Sequence, residues 1–383
     1  MIWLALPALA AAAYYLLAVV AAARWGRMTG DRGQTSPSTQ RNPGALGRAR
    51  LSPVSILKPV HGRDPRFYEA IRSHAEQDYP QFEMLFGLND PLDFARKDIE
   101  RLQIEFPERD IRIVPVQTRS PNAKVGVLAE LAREARYPVL LVNDSDIEVE
   151  PGYLRAVTAP LENPRTGLVT CLYRAAAESW ASRAEALGIS TEFAPSILVA
   201  RLLGQAEFAL GSTMVFRAEA LSRIGGFETI AGYLADDYQL GSRIAALGYG
   251  IEFASVVVET DLGGESWVQT WRHQLRWART IRVSRPAGYF GYGVTHATVW
   301  ALVAFAAGQW WAGAAALSLR MLAASWVGAG ILKDRHVVRN FWLIPLRDLF
   351  GFAVWLGGLA GAHVQWRDRR LRLRPDGRIS EEV

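Results

Sequence analysis

A length of 383 residues exceeds one average domain and can bury a full-sized core. With 50% hydrophobic and 21% charged residues and a mean hydropathy of +0.04, the composition falls between soluble and membrane classes. The single Cys171 excludes an internal disulfide, and much of the basic excess behind the net charge of +5 sits beside apolar segments, at 267–285 and 366–378, which points to an anionic membrane face and not to nucleic acid.

Residues 2–23 carry no charge over 22 positions, enough for a helix across a hydrocarbon core about 30 Å thick. Arg24 and Arg27 follow the apolar run, the reverse of a signal peptide, so 1–27 is expected to be an uncleaved anchor. With Arg32 and Arg41 they place the following domain on the cytoplasmic side of the inner membrane, in a multi-pass protein. Residues 28–50, rich in Gly, Pro, Ser and Thr, read as a linker. From Leu51, apolar runs at 54–60, 82–88, 111–116, 137–143 and 167–173 alternate with helical stretches at 65–77, 91–105 and 123–136. That alternation predicts an α/β domain with a mainly parallel sheet covered on both faces, and ligands of such sheets bind beyond the carboxyl ends of the strands.

The run VLLVNDSDIEVEPGYL at 139–154 ends in Asp144 and Asp146, two carboxylates on the same side of an extended chain. Two close anions repel, and a hard divalent cation such as Mg²⁺ or Mn²⁺ relieves the repulsion. Spacing excludes an EF-hand loop, because Val149 stands where Gly is required. Glu148 and Glu150 are assigned to the following turn, without chemistry. Helix capping by Asp144 is the competing structural reading. Asp90 ends another apolar run, Asp236 and Asp237 open a helical pattern at 235–248, and RHQLRWART at 272–280 groups His, Arg and Trp. No His/Cys spacing supports zinc, and His61, His74 and His296 are expected to be incidental.

At about 100° per residue, Trp267, Trp271, Leu275, Ala278 and Ile281 form one stripe of 267–282, with Arg272, Arg279 and Arg282 on the other flank. Such a helix, at 266–288, can lie in a membrane interface. Residues 289–366 carry further apolar runs, with Arg320 the only charge between Tyr289 and Lys333, and 367–383 form a basic tail. Two crossings are expected within 290–332, while 349–365 is expected not to span.

The series Asp90, Asp144-Ser-Asp146, Asp236-Asp237 and His273-Gln-Leu-Arg276-Trp277 resembles the D, DxD, (E/D)D, (Q/R)xxRW series of family 2 and family 21 glycosyltransferases. It is most similar to the ceramide glucosyltransferase family, particularly bacterial relatives associated with hopanoid biosynthesis. SILKPVHG at 55–62, NAKVGVLAEL at 122–131 and ALGSTMVFRAEALSRIGGF at 209–227 extend the resemblance over about 50–285. It implies a GT-A catalytic domain at 51–265 that transfers a sugar, with inversion, from a UDP-sugar to a lipid hydroxyl. N-acetylglucosamine onto a hopanoid polyol is the first reading and glucose onto ceramide, a sphingolipid, the alternative. The resemblance assigns Asp90 and Lys124 to the nucleoside end of the donor, and Asp144 and Asp146 to a Mg²⁺ or Mn²⁺ ion at the diphosphate. Asp237 becomes the general base, with Asp236 raising its pKa, and Arg276 and Trp277 face diphosphate and acceptor. His273 stands where the family has Gln or Arg, with Gln274 one residue late. Two other classes stay open: a non-catalytic cation-binding membrane protein and a processive polysaccharide synthase.

Overall fold

The computed structural model of the protein describes residues 2–33, 51–366 and 369–381. Beyond Gly33 the expected linker, with Arg41, lies outside the described residues, as do 367, 368, 382 and 383 of the expected tail. Helix α1 (Leu6–Gly33) precedes the α/β unit. There, β1 (Val54–Val60), α2 (Phe67–Ala75), β2 (Phe82–Leu88), α3 (Ala95–Glu105), β3 (Asp110–Pro115), α4 (Ala123–Glu134) and β4 (Val139–Val142) follow one another in strict alternation. Next come α5 (Tyr153–Thr158), β5 (Thr166–Ala176), α6 (Trp180–Gly188), α7 (Ala194–Leu202), β6 (Met214–Arg217), α8 (Ala218–Arg223), α9 (Asp236–Ala246) and β7 (Gly250–Asp261).

The strands form a seven-stranded sheet of order β3-β2-β1-β4-β6-β5-β7. Pairing is parallel except at β6, which runs antiparallel to both β4 and β5. The five apolar runs thus become strands. The two strands the periodicity does not signal are β6, only four residues long, and β7, at the sheet edge with an irregular burial pattern. Alternate residues of each inner strand feed opposite faces. Val139 and Leu141 of β4 join one core with Ile56, Phe86 and Ile71, while Leu140 and Val142 join another with Leu57, Leu128 and Leu131. Each such side chain, fully buried, contributes about 1.5–3 kcal/mol. The chain moves outward from β1 to β3 and then returns to the other side of β1 to make β4. That reversal opens a crevice at the carboxyl ends of β1 and β4, the usual ligand position in such sheets.

The excursion between β5 and β6 joins this unit to the apolar helices. Helices α6 and α7 are linked by a π-helical turn, Ile189–Phe193, and α7 residues Ile197 and Leu198 pack with Ala21, Ala22 and Trp25 of α1. After β7 come α10 (Trp267–Ser284), α11 (Pro286–Tyr292), α12 (Ala297–Ala306), α13 (Trp310–Ala324), α14 (Arg335–Arg339) and α15 (Ile344–Gly358). Among the described residues, two stretches are long and apolar enough to cross a membrane, Trp3–Thr29 and Trp310–Ile331, the latter being α13 continued through a second π-helical turn. The expectation of two crossings within 290–332 differs from this. Helix α12 has ten residues, about 15 Å, and ends at Ala306, just before Gly308, whose φ of +73° no right-handed helix accommodates.

Residues expected in a basic tail contribute instead to an antiparallel sheet of β8 (His363–Trp366), β9 (Arg369–Leu373) and β10 (Ile379–Glu381). Its alternating Leu371, Leu373 and Ile379 are buried with Leu234, which ties the sheet to the loop before α9. On α10 the buried residues are Thr270, Gln274 and Ala278; of the expected stripe Ala278 is packed, while Trp267 and Ile281 remain exposed. Arg279 and Arg282, expected at an interface, donate to the carbonyls of Leu359, Ala360, Gly361 and His363 beyond α15. The two arginines thereby tie α10 to the turn between α15 and β8.

Candidate active site

Asp144 follows β4 with the parity of Leu140 and Val142, so its side chain emerges on the α4 side of the sheet. There Lys124 waits in the first turn of α4, its Nζ 2.7 Å from Asp144 Oδ1 and 3.2 Å from Asp236 Oδ2. A cation at a helix N-terminus opposes the helix dipole, so its place is set by the carboxylates. Burial alone lowers the affinity of Lys124 for its proton, but Asp144 and Asp236 more than offset this and raise its pKa. Beneath them Lys58 of β1, fully buried, donates to the Asp144 carbonyl at 3.2 Å. Burial pushes its pKa down to about 7, against the pull of Asp146 and Asp144. Asp146 was expected on the same side as Asp144, but the chain leaves the extended conformation in a turn at 145–146, and Asp146 instead accepts a hydrogen bond from Thr260 of β7. Burial, then the charge of Asp144, pushes the Asp146 carboxyl up to about 6.

Helix α9 brings the second acidic pair. Its N-cap is Ala235, without a capping side chain, and Asp236 and Asp237 fill its first turn. Asp237 Oδ2 accepts from Gly211 N–H at 3.0 Å and Oδ1 from Tyr238 N–H at 2.7 Å. Burial and the adjacent Asp236 push the Asp237 carboxyl up to about 6, with Lys124 opposing. A Cβ built on Gly211 stands 3.4 Å from Asp144 Oδ2 and 3.6 Å from Asp237 Oδ2, so this glycine lies where the two acidic pairs meet. Gly241, one turn further along α9, is the constrained position: a Cβ there falls 2.4 Å from Ala209 N, whereas one on Gly211 would make only ordinary contacts.

The loop before α9 is clamped by Asn122, which caps α4, accepts Val125 N–H and donates to Tyr233 O at 2.8 Å. On the far side, α10 resolves the displaced motif. Gln274 turns away from the sheet and accepts from Arg347 of α15 at 3.1 Å. His273 faces the domain, with its ring 4.7 Å from Trp277 in an edge-on contact and Nδ1 2.7 Å from Glu185 Oε1. Trp277 packs with Tyr173, Ala186 and Ile189, and the charge of Arg276 acts on Glu265. A cleft of about 340 Å³ runs from Asp146 past Asp64 and Asp261 to Glu265 and His273.

The structure therefore brings together Lys124, Asp144, Asp236 and Asp237, with Asp146 linked to His273 by the cleft. Asp90 stands apart from these contacts: it is exposed, and its carboxylate accepts Leu92 N–H at 2.8 Å in its own turn. Lys58, Gly211, Thr260, Glu185 and Glu265 were not singled out from the sequence. Lys58 and Gly211 lie within segments that carried the resemblance, the one signal available for them. His74, expected to be incidental, is fully buried and holds Asn143, the residue before Asp144, through Nε2 at 2.8 Å.

A family model described as Glycosyl transferase family 21 matches residues 3–379. The chain belongs to glycosyl transferase family 21. Among curated relatives, it is 30% identical to ceramide glucosyltransferase 3 of Caenorhabditis elegans over 52% of this chain and 44% of that protein. Ceramide glucosyltransferase 1 of the same animal is 29% identical over 52% and 43%. A probable glycosyltransferase of Bacillus subtilis, YdaM, is 25% identical over 60% and 55%. The matches thus span about half the length of these relatives. Among solved structures, the mannosyltransferase of Pyrobaculum calidifontis in complex with GDP-Man and Mn²⁺ superposes with a TM-score of 0.54, covering 93% of this chain and 97% of that one at 18% identity. The fold of this family 21 chain is GT-A-like, a mixed and mostly parallel sheet.

The acidic pair fits a divalent ion. Although Lys58 is drawn to both carboxylates, burial and then the charge of Asp144 hold the Asp146 carboxyl above its ordinary range, and a cation beside the two would relieve their repulsion. All-oxygen ligands suit Mg²⁺ or Mn²⁺.

Proposed function

We propose that this chain transfers a sugar, with inversion, from a UDP-sugar to the hydroxyl of a membrane lipid. The observation that carries the reading is the meeting of the two acidic pairs at Gly211, one pair suited to a cation and the other to a base. In this mechanism Asp144 and Asp146 hold Mg²⁺ or Mn²⁺, which supplies positive charge for the departing diphosphate. Lys124 adds a second cation to the same end of the site. Asp237 accepts the proton of the acceptor hydroxyl as that oxygen bonds to the anomeric carbon. An alcohol, with a pKa near 15.7 like water, is not ionised beforehand, so proton transfer accompanies bond formation and contributes about 10²–10⁴ in rate. Asp236 and Lys124 set the charge around Asp237. Asp90 is assigned to the nucleoside, and His273, Arg276 and Trp277 to the diphosphate and acceptor side.

For the acceptor, a ceramide glucosylated from UDP-glucose accords best with the names of the relatives. N-acetylglucosamine transfer to a hopanoid polyol is the second reading, resting on the DSDI and WRHQLRWARTIR segments. The apolar side chains that α1, α12, α13 and α15 leave exposed, including Leu16, Leu302, Trp310 and Leu356, support a membrane position. Arg24 and Arg27 support a cytoplasmic catalytic domain in the inner membrane.

Purified full-length chain incubated with UDP-glucose or UDP-N-acetylglucosamine and with ceramide or a hopanoid polyol, with and without EDTA, tests the reading by mass spectrometry of the lipid. The expected product carries one sugar and disappears with EDTA. Asp237→Asn is expected to lower turnover by about 10²–10⁴ while donor binding by calorimetry persists. Unchanged turnover favours the non-catalytic cation-binding protein, and long glycan chains favour a processive synthase.

A further inference from the structure

Glu185, on α6, is fully buried, yet neither of its carboxylate oxygens takes part in a hydrogen bond. An ionised carboxylate in that position is strongly unfavourable unless a cation meets it. His273 Nδ1 stands 2.7 Å from Glu185 Oε1, close enough to pair, but without the alignment of a hydrogen bond, and Nδ1 is itself unsatisfied. Glu265, in the turn before α10, closes the group: one ligand atom from each of the three residues lies within 4.8 Å of the others. Burial and the charge of Glu185 raise the pKa of Glu265, with His273 and Arg276 opposing. Two carboxylates thus share one place, and one of them is deeply buried.

We propose that Glu185, Glu265 and His273 form a second cation site, for a divalent transition metal of the zinc or manganese class, held by one imidazole nitrogen and two carboxylates. The donor set differs from the all-oxygen pair of Asp144 and Asp146, since an imidazole favours transition metals over Mg²⁺. Two ligands about 2.0–2.2 Å from one ion lie no more than about 4.4 Å apart, so donors that all lie within 4.8 Å of one another need to move by no more than a few tenths of an ångström. Glu265 and His273 also line the 340 Å³ cleft, which gives the ion an entry path and leaves a side of it open. Bound there, the ion fixes α10, and with it Arg276 and Trp277, against α6. The site stands independently of the sugar-transfer reading.

Full-length protein stripped with EDTA and titrated with Co²⁺ or Mn²⁺ tests this, with bound metal counted by equilibrium dialysis and nitrogen coupling to Mn²⁺ read by pulsed electron paramagnetic resonance. The Asp144→Asn/Asp146→Asn protein is expected to retain one ion with a histidine nitrogen in its coordination sphere. His273→Gln and Glu185→Gln, each on that background, are expected to weaken its binding at least about 10-fold. Where Glu185→Gln fails to fold, the partly exposed Glu265→Gln replaces it with the same expectation. An Asp144→Asn/Asp146→Asn protein that folds but binds no ion, an ion without nitrogen coupling, or binding indifferent to His273→Gln overturns the proposal. Sugar transfer by the wild-type chain in Mg²⁺ alone is measured separately, so failure of that reaction is distinguishable from failure of the site.

Discussion

At the residue scale, the site carries electrostatic strain. Asp146 and Asp237 both hold their protons up to about 6, above the ordinary 3.8 of an aspartate. A raised carboxyl pKa means that the folded chain binds more protons than the unfolded one between those values. The stabilisation is therefore complete below about 3.8 and is lost as pH rises through about 6. Asp146→Asn removes that loss. Without divalent ions, the variant is expected to gain thermal stability relative to the wild type on going from pH 5 to pH 7.5, by differential scanning fluorimetry. Mn²⁺ is then expected to stabilise the wild type at pH 7.5 more than the variant. Asp237 must be ionised to act as a base, so kcat/KM is expected to fall on the acid side with a midpoint near 6. An acid limb centred near 4 contradicts the raised pKa.

At the element scale, close packing of α9 decides where the base stands. Gly241 lets the helix approach the backbone of Phe208 and Ala209, and that approach brings Asp237 to Gly211. Gly241→Ala relieves the clash only by moving α9 or the 208–209 segment. A displacement of about 1 Å at the reacting groups costs about 10²-fold in rate. The expected result is a loss of that order in kcat with little change in donor Kd, measured by product formation and calorimetry. The same loop is held from outside by β10, whose Ile379 N–H donates to Gly232 O at 2.8 Å, so the C-terminal sheet buttresses the active end of α9.

Across the whole molecule, a buried polar network joins the α/β unit to the apolar helices. Arg320 of α13 is fully buried, pairs with Asp348 of α15 at 2.7 Å, donates to Thr191 O at 2.8 Å and lies 5.1 Å from the ring of Tyr15 in α1. The one charge in the apolar stretch 290–332 thus meets three other segments at a single point. Removing one partner strands a buried charge, a loss of about 3–5 kcal/mol. Asp348→Leu is expected to lower the melting temperature in detergent sharply, and Arg320→Met/Asp348→Leu to recover most of the loss. Equal damage by single and double variants contradicts the pairing.

The sequence by itself determined the alternating core. Strand periods of two and helix periods near 3.6 are local, so β1 to β5, α2 to α4 and the emergence of Asp144 and Asp146 from an apolar strand were legible. Asp236 and Asp237 were legible too, because a helix start has a pattern. Only the tertiary structure decided which carboxylates meet. Lys124 bridges residues 20 and 112 positions further along the chain, and Gly211 matters because of what approaches it. β6 and β7 were hidden because a four-residue strand and an irregular edge strand carry little periodicity. Glu185 belongs to no motif in the sequence, and only the fold buries it beside His273. Periodicity fixes which face a side chain takes; long-range packing fixes what it faces.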